Sequence, residues 1–498
     1  MQHLWEEEVT FQDLMAERLK QAPWLVLSIG LHLVAFLLLW VLIPPEQKRA
    51  VANHVQMVHS ETTELVVPTP PPEVVTKPEP VPDDTVITEQ PAVSESDDAA
   101  LDNADSDSTA KEPSLDVNSL NSPVGLGPGT LGPYGKRGPG GGGKQTGQPY
   151  APNIAPGLQW LANHQDDDGK WDCDGFQKHD DPSSEICSGL GNATHDVGVT
   201  GLALLAFLGE GSTMRSGSYA PVIKKGVHWL RKQQDPSTGL FGTKASHDYI
   251  YDHAIATYAV CEAVGLSPSE MLRPIAQNGI NYLESHRNPY SVWRYQPRDD
   301  QNDTSVTGWC IMAYESGAFF GLTVNKEALK LCELWLDQVS DSTGLHGYTR
   351  TGEKSARKGS EHAAKFPVDK GEAMTAVGLF SRFFLGQDPK EKPVMKAAAD
   401  RLLACPPIWD EKAGTIDHYY WYYATYALFQ MGGKHWNEWQ KKLETSVVKH
   451  QHLDPKQKNL YGSWDPVDAW GEDGGRVYST AILVLTLEAL HRYTRLVR

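Results

Sequence analysis

Cysteine is scarce in this chain: 498 residues hold six. A fold stapled by disulfides is thereby excluded. Cys173 and Cys187 bracket a polar loop and are expected to pair if the domain lies in an oxidising compartment. The other four read as buried and inert. Basic charge is also short, with 45 Lys and Arg against 63 Asp and Glu, a formal net charge of −18. Without a basic stripe, no nucleic-acid partner is expected. The deficit is local. Between Val51 and Pro123 fifteen Asp and Glu face two Lys, a net of −13, which leaves −5 for the rest. Aromatics are poor in the same stretch, so Ser94 to Asp116 cannot bury a core.

One long apolar run is present. Trp24 to Ile43 is about twenty nearly uninterrupted apolar residues ended by Pro44-Pro45, enough to cross a bilayer as one helix. Trp24 and Trp40 suit the two interfaces. The run is too long for a signal-peptide core, and no small-x-small cleavage site follows. Residues 1–23 then form a cytoplasmic segment, 24–43 a transmembrane helix, 44–150 a disordered linker and 151–498 the folded domain. Pro68 to Pro72 and Lys77 to Pro82 favour polyproline II, and Gly125 to Gly147 is Gly-rich. A coil of ~100 residues spans roughly 55 Å.

Orientation is not set by charge, since Arg18 and Lys20 before the run balance Lys48 and Arg49 after it. Ser28 and His32 lie four apart on one helix face, and an ionisable group inside a membrane usually faces a partner or a proton path. Ser-x-x-x-His in a lone N-terminal span before Pro-rich sequence resembles TonB-type energy transducers, over Pro23 to about Pro82. That resemblance implies an inner-membrane, single-pass chain with a cytoplasmic N-terminus and a periplasmic C-terminal domain. It also implies Ser28 and His32 docked on ExbB/ExbD-like motor proteins. The small C-terminal domain of that family is absent here. The bland alternative is that Ser28 bonds its own backbone and His32 is merely tolerated.

The folded part is organised by a repeat. Gly157-Leu-Gln-Trp160-Leu161 leads to Gln165, the turn Asp166 to Gly169, and Trp171. The amide of Gln165 is expected to satisfy backbone groups left free at its helix end. Copies run from Gly226 through Trp229 and Gln234 to Phe241, from Gly279 to Trp293, and from Gln451 to Trp464. Such units imply stacked helix pairs that bury faces against one another. Gly-x-x-Trp-Leu-x-x-x-Gln-x-x-x-Gly-x-Trp resembles the QW repeat of squalene and terpenoid cyclases, with related units in protein prenyltransferase β subunits. The fold this implies for 151–498 is all-α: an α/α toroid of about six outer–inner helix pairs. Outer helices are expected near Gly157, Val222, Met271, Lys326, Pro393 and His435. Inner helices are expected near His195, Tyr251, Asp303, Gly371, His418 and Gly475. Arg350 to Lys370 reads as a solvated insertion within the fourth pair.

Aligned inner helices place Asp196, Asp252, Asp303, Glu372 and Arg476 at equivalent starts, with His195, Tyr251 and His253 beside them. Capping explains any one acid at a helix start. In toroids of the family such starts face the central cavity, so the set is expected at its mouth. Trp309, Tyr478 and the run His418 to Tyr423, including Tyr419, Trp421 and Tyr422, are candidate ligand contacts, since aromatic faces stabilise cations. Class II cyclases carry Asp-x-Asp-Asp-Thr-Ala, whose middle Asp is the acid. Asp300, Asp303 and Thr304 match it, but Asn302 stands in the acid's place, and an amide cannot deliver that proton. Asp300, Asp303, Asp252 and His253 are the catalytic candidates that remain. The Asp-x-Cys pair of zinc prenyltransferases and the Cys-Gly-Glu-Gln of thioester proteins are missing, so no metal and no cofactor is expected. Three functions follow as expectations: a toroid binding an apolar or isoprenoid ligand, or a protein partner, at the cavity mouth; an isoprenoid enzyme with a changed acid; or an envelope scaffold. An open aromatic cavity favours the enzyme, a self-filled one the scaffold.

Overall fold

A computed structural model describes residues 149–492. The apolar run with Ser28 and His32, and the linker up to residue 148, lie outside the described residues. Among the described residues no helix is long and apolar enough to cross a membrane.

The described chain is helical throughout, and no strand occurs in it beyond isolated bridges such as Gln234–Phe241. In chain order the helices are α1 Ala151–Asn163, α2 Asp196–Glu210, α3 Ala220–Gln233, α4 Tyr249–Leu266, α5 Arg273–His286, α6 Thr304–Phe319 and α7 Lys326–Val339. There follow α8 Ser360–Lys365, α9 Ala373–Phe384, α10 Pro393–Ala404, α11 His418–Met431, α12 Gly433–Ser446, α13 Gly471–Leu487 and α14 Ala489–Arg492. Burial divides them. On α4 nearly every residue is buried, from Tyr249 to Leu266. On α3 only Ile223, Gly226, Val227, Trp229 and Leu230 are, the one-sided stripe of a helix that meets water.

Six buried helices pack in sequence: α2 on α4, α4 on α6, α6 on α9, α9 on α11, α11 on α13, and α13 back on α2. That last contact closes a ring. The amphipathic helices α1, α3, α5, α7, α10 and α12 lie outside it. The architecture is an α/α toroid, as the repeat implies. The pairing differs in one respect. Each outer helix packs more extensively on the inner helix before it in the chain than on the one after, and α1 packs on α13.

The repeat residues account for that arrangement. The Gln165 amide does not cap its own helix; it donates to Gly169 O and to Val222 O, in the first turn of α3. Gln234 likewise donates to Gly239 O and to Ile275 O of α5. Gln451 donates to Gly462 O and to Asn153 O of α1, so the last copy grips the first helix. Each glutamine therefore ties its turn to the next outer helix. The tryptophans hold the turn to its own helix: Trp171, Trp293 and Trp464 donate their indole N–H to Leu161, Leu283 and Val447 carbonyls at 2.7–2.8 Å. One copy escapes the sequence pattern. The turn Asp341 to His346 has the same bridge, Ser340–His346, with a histidine in place of the aromatic.

The insertion does not stay in solvent. Arg357 reaches Asp417 at 3.4 Å and lies over the Trp470 ring. Lys358 pairs with Asp473, Lys365 with Glu472 at 3.2 Å, and His362 Nε2 donates to Ala469 O at 2.7 Å. The segment thus straps the fourth pair to the start of α13.

Candidate functional site

All six inner helices contribute their N-terminal turns to one cavity of about 730 Å³ at that end of the ring. Its wall is mostly apolar and aromatic. Val199 and Leu202 come from α2, Ile255 from α4, Trp309 from α6, Met374 from α9, Tyr419 from α11 and Tyr478 from α13. Tyr295 and Tyr348 enter from the turns before α6 and after α7. The rim is polar: His195, Asp248, Asp252, Asp473, and Arg357 and Lys358 of the strap.

Of the residues singled out from sequence, His195, Tyr251, Asp252, Trp309, Tyr419 and Tyr478 line this cavity. His195 Nδ1 lies 3.1 Å from Asp252 Oδ2. Burial drives the Asp252 carboxyl up, to about 6, against the pull of His195. Burial opposes the His195 imidazolium, yet Asp252 outweighs it and raises the histidine. The pair can hold a proton near neutral pH at the mouth.

Asp303 sits just behind the wall. It caps α6, its Oδ1 accepting from Val306 N at 2.8 Å. Its other oxygen accepts from Tyr348 OH at 3.4 Å, and Tyr348 in turn meets Tyr295 OH at 2.6 Å. Full burial pushes the Asp303 carboxyl up to about 7. The hydroxyls between it and the cavity are raised as well by burial, so they are weak acids.

The remaining candidates lie elsewhere. Asp300 is exposed, with φ of +59°, on the loop before α6. Asn302 is turned into that loop, accepting from Asn288 Nδ2 and Val292 N at 3.0 and 3.1 Å. His253 is buried behind the ring, accepting from Phe241 N and donating to Gly279 O, and burial lowers it to about 3. Asp196 caps the first repeat turn through Lys170 and Cys173 N. Glu372 is neutralised by Lys354 and Arg401. Arg476 donates to Ser188 O and pairs with Asp465. The aromatic run splits by its 100° steps: Tyr419 faces the cavity, Tyr422 stacks on Trp309 at 5.8 Å, and Trp421 packs on Trp409 between the rings. The Cys173–Cys187 disulfide is not formed. Both thiols are free and buried, Cys173 N being held by Asp196 and Cys187 N by Asp180.

His418 lies 3.4 Å from Asp468, both fully buried. Burial lowers His418 to about 3; burial, reinforced by Asp417, raises Asp468 to about 8. A carboxyl raised on folding is bound to its proton more tightly in the native state. Its contribution to stability is therefore present at low pH and lost as pH rises from about 4 to about 8. His418, lowered from 6.5, acts in the opposite sense below that value, so the net fall in melting temperature is expected above it, and Asp468→Asn is expected to flatten that fall; an unchanged slope against wild type would refute the assignment.

The residues missed from sequence are Tyr295, Tyr348 and the strap's Arg357 and Lys358. Their signal was present as aromatics and basic charge next to repeat turns, but nothing local says which way a loop folds.

No protein-family model and no curated protein matches the chain. Solved structures do align. An α-1,6-mannanase variant of Salegentibacter sp. HEL1_6 covers 69% of this chain and 99% of its own at 10% identity, TM-score 0.47. The type II terpene cyclase MstE from Scytonema covers 69% and 98% at 15% identity, TM-score 0.42. A Clostridium perfringens α-amylase covers 68% and 97% at 12% identity, TM-score 0.41. Neither a sugar nor a polyene carries over to this chain from likenesses of that degree.

Proposed function

We propose that the chain is a membrane-anchored ligand-binding protein whose toroid takes up an amphipathic molecule, apolar body inside and polar end at the rim. The observation that carries this reading is the cavity itself: open at about 730 Å³, walled by Trp309, Ile255, Met374 and several tyrosines, and charged only at its mouth. Such a combination suits small-molecule binding. The buried hydroxyls of Tyr478 and Ser246 have no protein partner and border the same space. A polar group of the ligand can satisfy them. A self-filled scaffold does not fit this cavity. Cyclisation by protonation fits poorly, because Asn302 is tied into its loop and Asp303 is screened by tyrosines.

Native mass spectrometry of the full-length protein in mild detergent tests the reading. Wild type is expected to retain a small molecule recoverable into organic solvent. Ile255→Trp, which fills the cavity from α4, is expected to lose it while keeping its helical circular dichroism. Equal retention by both, or none by wild type, would overturn the proposal.

The anchor belongs to the same reading. Trp24 to Ile43 is proposed to span the inner membrane with the toroid on the periplasmic side, and Ser28 and His32 to meet ExbB/ExbD-like motor proteins. An alkaline phosphatase fused after Arg498 is expected to be active. Activity instead from a cytoplasm-only reporter at that end would sink both the topology and the motor contact.

A further inference from the structure

A second cluster lies outside the cavity, where α1 ends. His164, the C-cap of α1, is 4% exposed. Asp180 follows the short 3-10 turn Phe176–His179, and Cys187 follows seven residues later, 1% exposed. One donor atom from each, an imidazole nitrogen, a carboxylate oxygen and a thiol sulfur, all lie within 4.8 Å of one another. The cluster is assembled from two sides. Asp180 Oδ2 accepts from Cys187 N at 2.7 Å, which curls the loop between them. Asn459, from the last repeat turn, clamps that loop by donating to Asp181 O and Glu185 O.

We infer that His164, Asp180 and Cys187 form a structural binding site for one zinc-class divalent cation. Hydrogen-bond direction at His164 points to an ion. A carbonyl can only accept, so the contact of His164 Nδ1 with Trp160 O at 2.8 Å fixes the proton on Nδ1. Nε2 then presents its lone pair to Asp180 Oδ1 at 3.1 Å, one acceptor against another. Only a cation between them, proton or metal, makes that contact favourable. A metal meets the demand and takes up the thiol in the same step: Cys187 gives its proton to solvent and binds as thiolate. The donor set of nitrogen, oxygen and sulfur suits zinc, with ligand distances of about 2.0–2.3 Å that small side-chain rotations supply. The Trp160 carbonyl behind Nδ1 is the outer partner that metal-bound histidines commonly have. The Cys187 thiol now donates to Asn459 O at 3.0 Å; once the thiol ionises that carbonyl loses its donor and becomes a further oxygen for the ion. Closed burial leaves no room for substrate, so the ion's work is to hold the loop 172–191 against α1 and the last repeat. The other cluster of acids, Asp172, Asp174 and Asp196, is already served by Lys170 and Lys178 and needs no ion.

The test uses full-length protein stripped with chelator and dialysed against Zn²⁺ or Co²⁺. One zinc per chain is expected to survive gel filtration. The cobalt form is expected to carry a thiolate-to-metal charge-transfer band that Cys187→Ser abolishes and Cys173→Ser leaves intact. Zinc X-ray absorption of wild type, which needs no variant to fold, is expected to show one sulfur with nitrogen and oxygen neighbours. No retained metal, a shell without sulfur, or a charge-transfer band that survives Cys187→Ser would overturn the inference.

Discussion

Gly462→Ala is expected to prevent the ring from closing. Gly462 lies in the last repeat turn with φ of +100°, and a Cβ there would stand 2.1 Å from Pro156 O in α1. The obstacle is backbone, and the helix that bears it is fixed on the other side by α13. The same turn supplies the carbonyl that Gln451 binds while it grips Asn153. Left-handed strain alone costs about 1–2 kcal/mol for a non-glycine residue. With the clash added, a loss of about 4 kcal/mol or more is expected, among the largest that single changes produce. Gly386→Ala is the control, because φ is +76° there and nothing lies within 4 Å. Thermal melts should show a small shift for Gly386→Ala and a failure to fold, or a far larger shift, for Gly462→Ala. Similar losses from both would mean that strain, not ring closure, sets the cost.

The second large effect belongs to Arg492. Its side chain is fully buried at the opposite end of the ring, 2.6 Å from Glu262 Oε2 and 3.8 Å from Glu488 Oε2. It also donates to Leu205 O near the end of α2 and lies over Tyr258 of α4. A cation suits the carbonyl ends of helices. Arg492→Leu keeps the bulk and removes the charge, leaving Glu262 and Glu488 buried without it. Removing one partner of a buried ion pair costs about 3–5 kcal/mol. In a domain of this size that is a fall of roughly 6–10 °C in melting temperature. Glu262→Gln added to Arg492→Leu should recover part of it, since one buried carboxylate that Arg492 had faced is then neutral. A double variant no better than Arg492→Leu would place the cost in packing.

Both expectations rest on features that differ in how openly the sequence displays them. Gly462 stands in a repeat whose spacing can be read by eye. Arg492 lies beyond the last helical pattern and carries no motif. The same contrast runs through the candidate site. The starts of the inner helices were legible because acidic residues recur at equivalent positions, although of that set only Asp303 caps its helix, and His195, Tyr251 and Asp252 do meet at the cavity. His253 and Asp300, one residue and three residues from wall-forming or capping positions, point elsewhere. A helix turns 100° per residue, so His253 parts from Asp252 around its axis, while Asp300 lies on the loop before α6, where no helical register sets its direction.

What the sequence by itself determined is the all-helical repeat architecture: apolar periodicity fixes which helices are buried all round and which on one stripe, and Gln, Gly and Trp at set spacings fix the turns. These are local properties, and backbone geometry reads them locally. Only the tertiary structure decided that each glutamine binds the next outer helix and not its own. Only it brought the strap's Arg357 to Asp417 and Trp470, and set Asn459 against the loop of Asp180 and Cys187. Each of these contacts joins segments far apart in the chain. Their partners are chosen by how the ring closes, and a closed ring has one solution that no single segment contains.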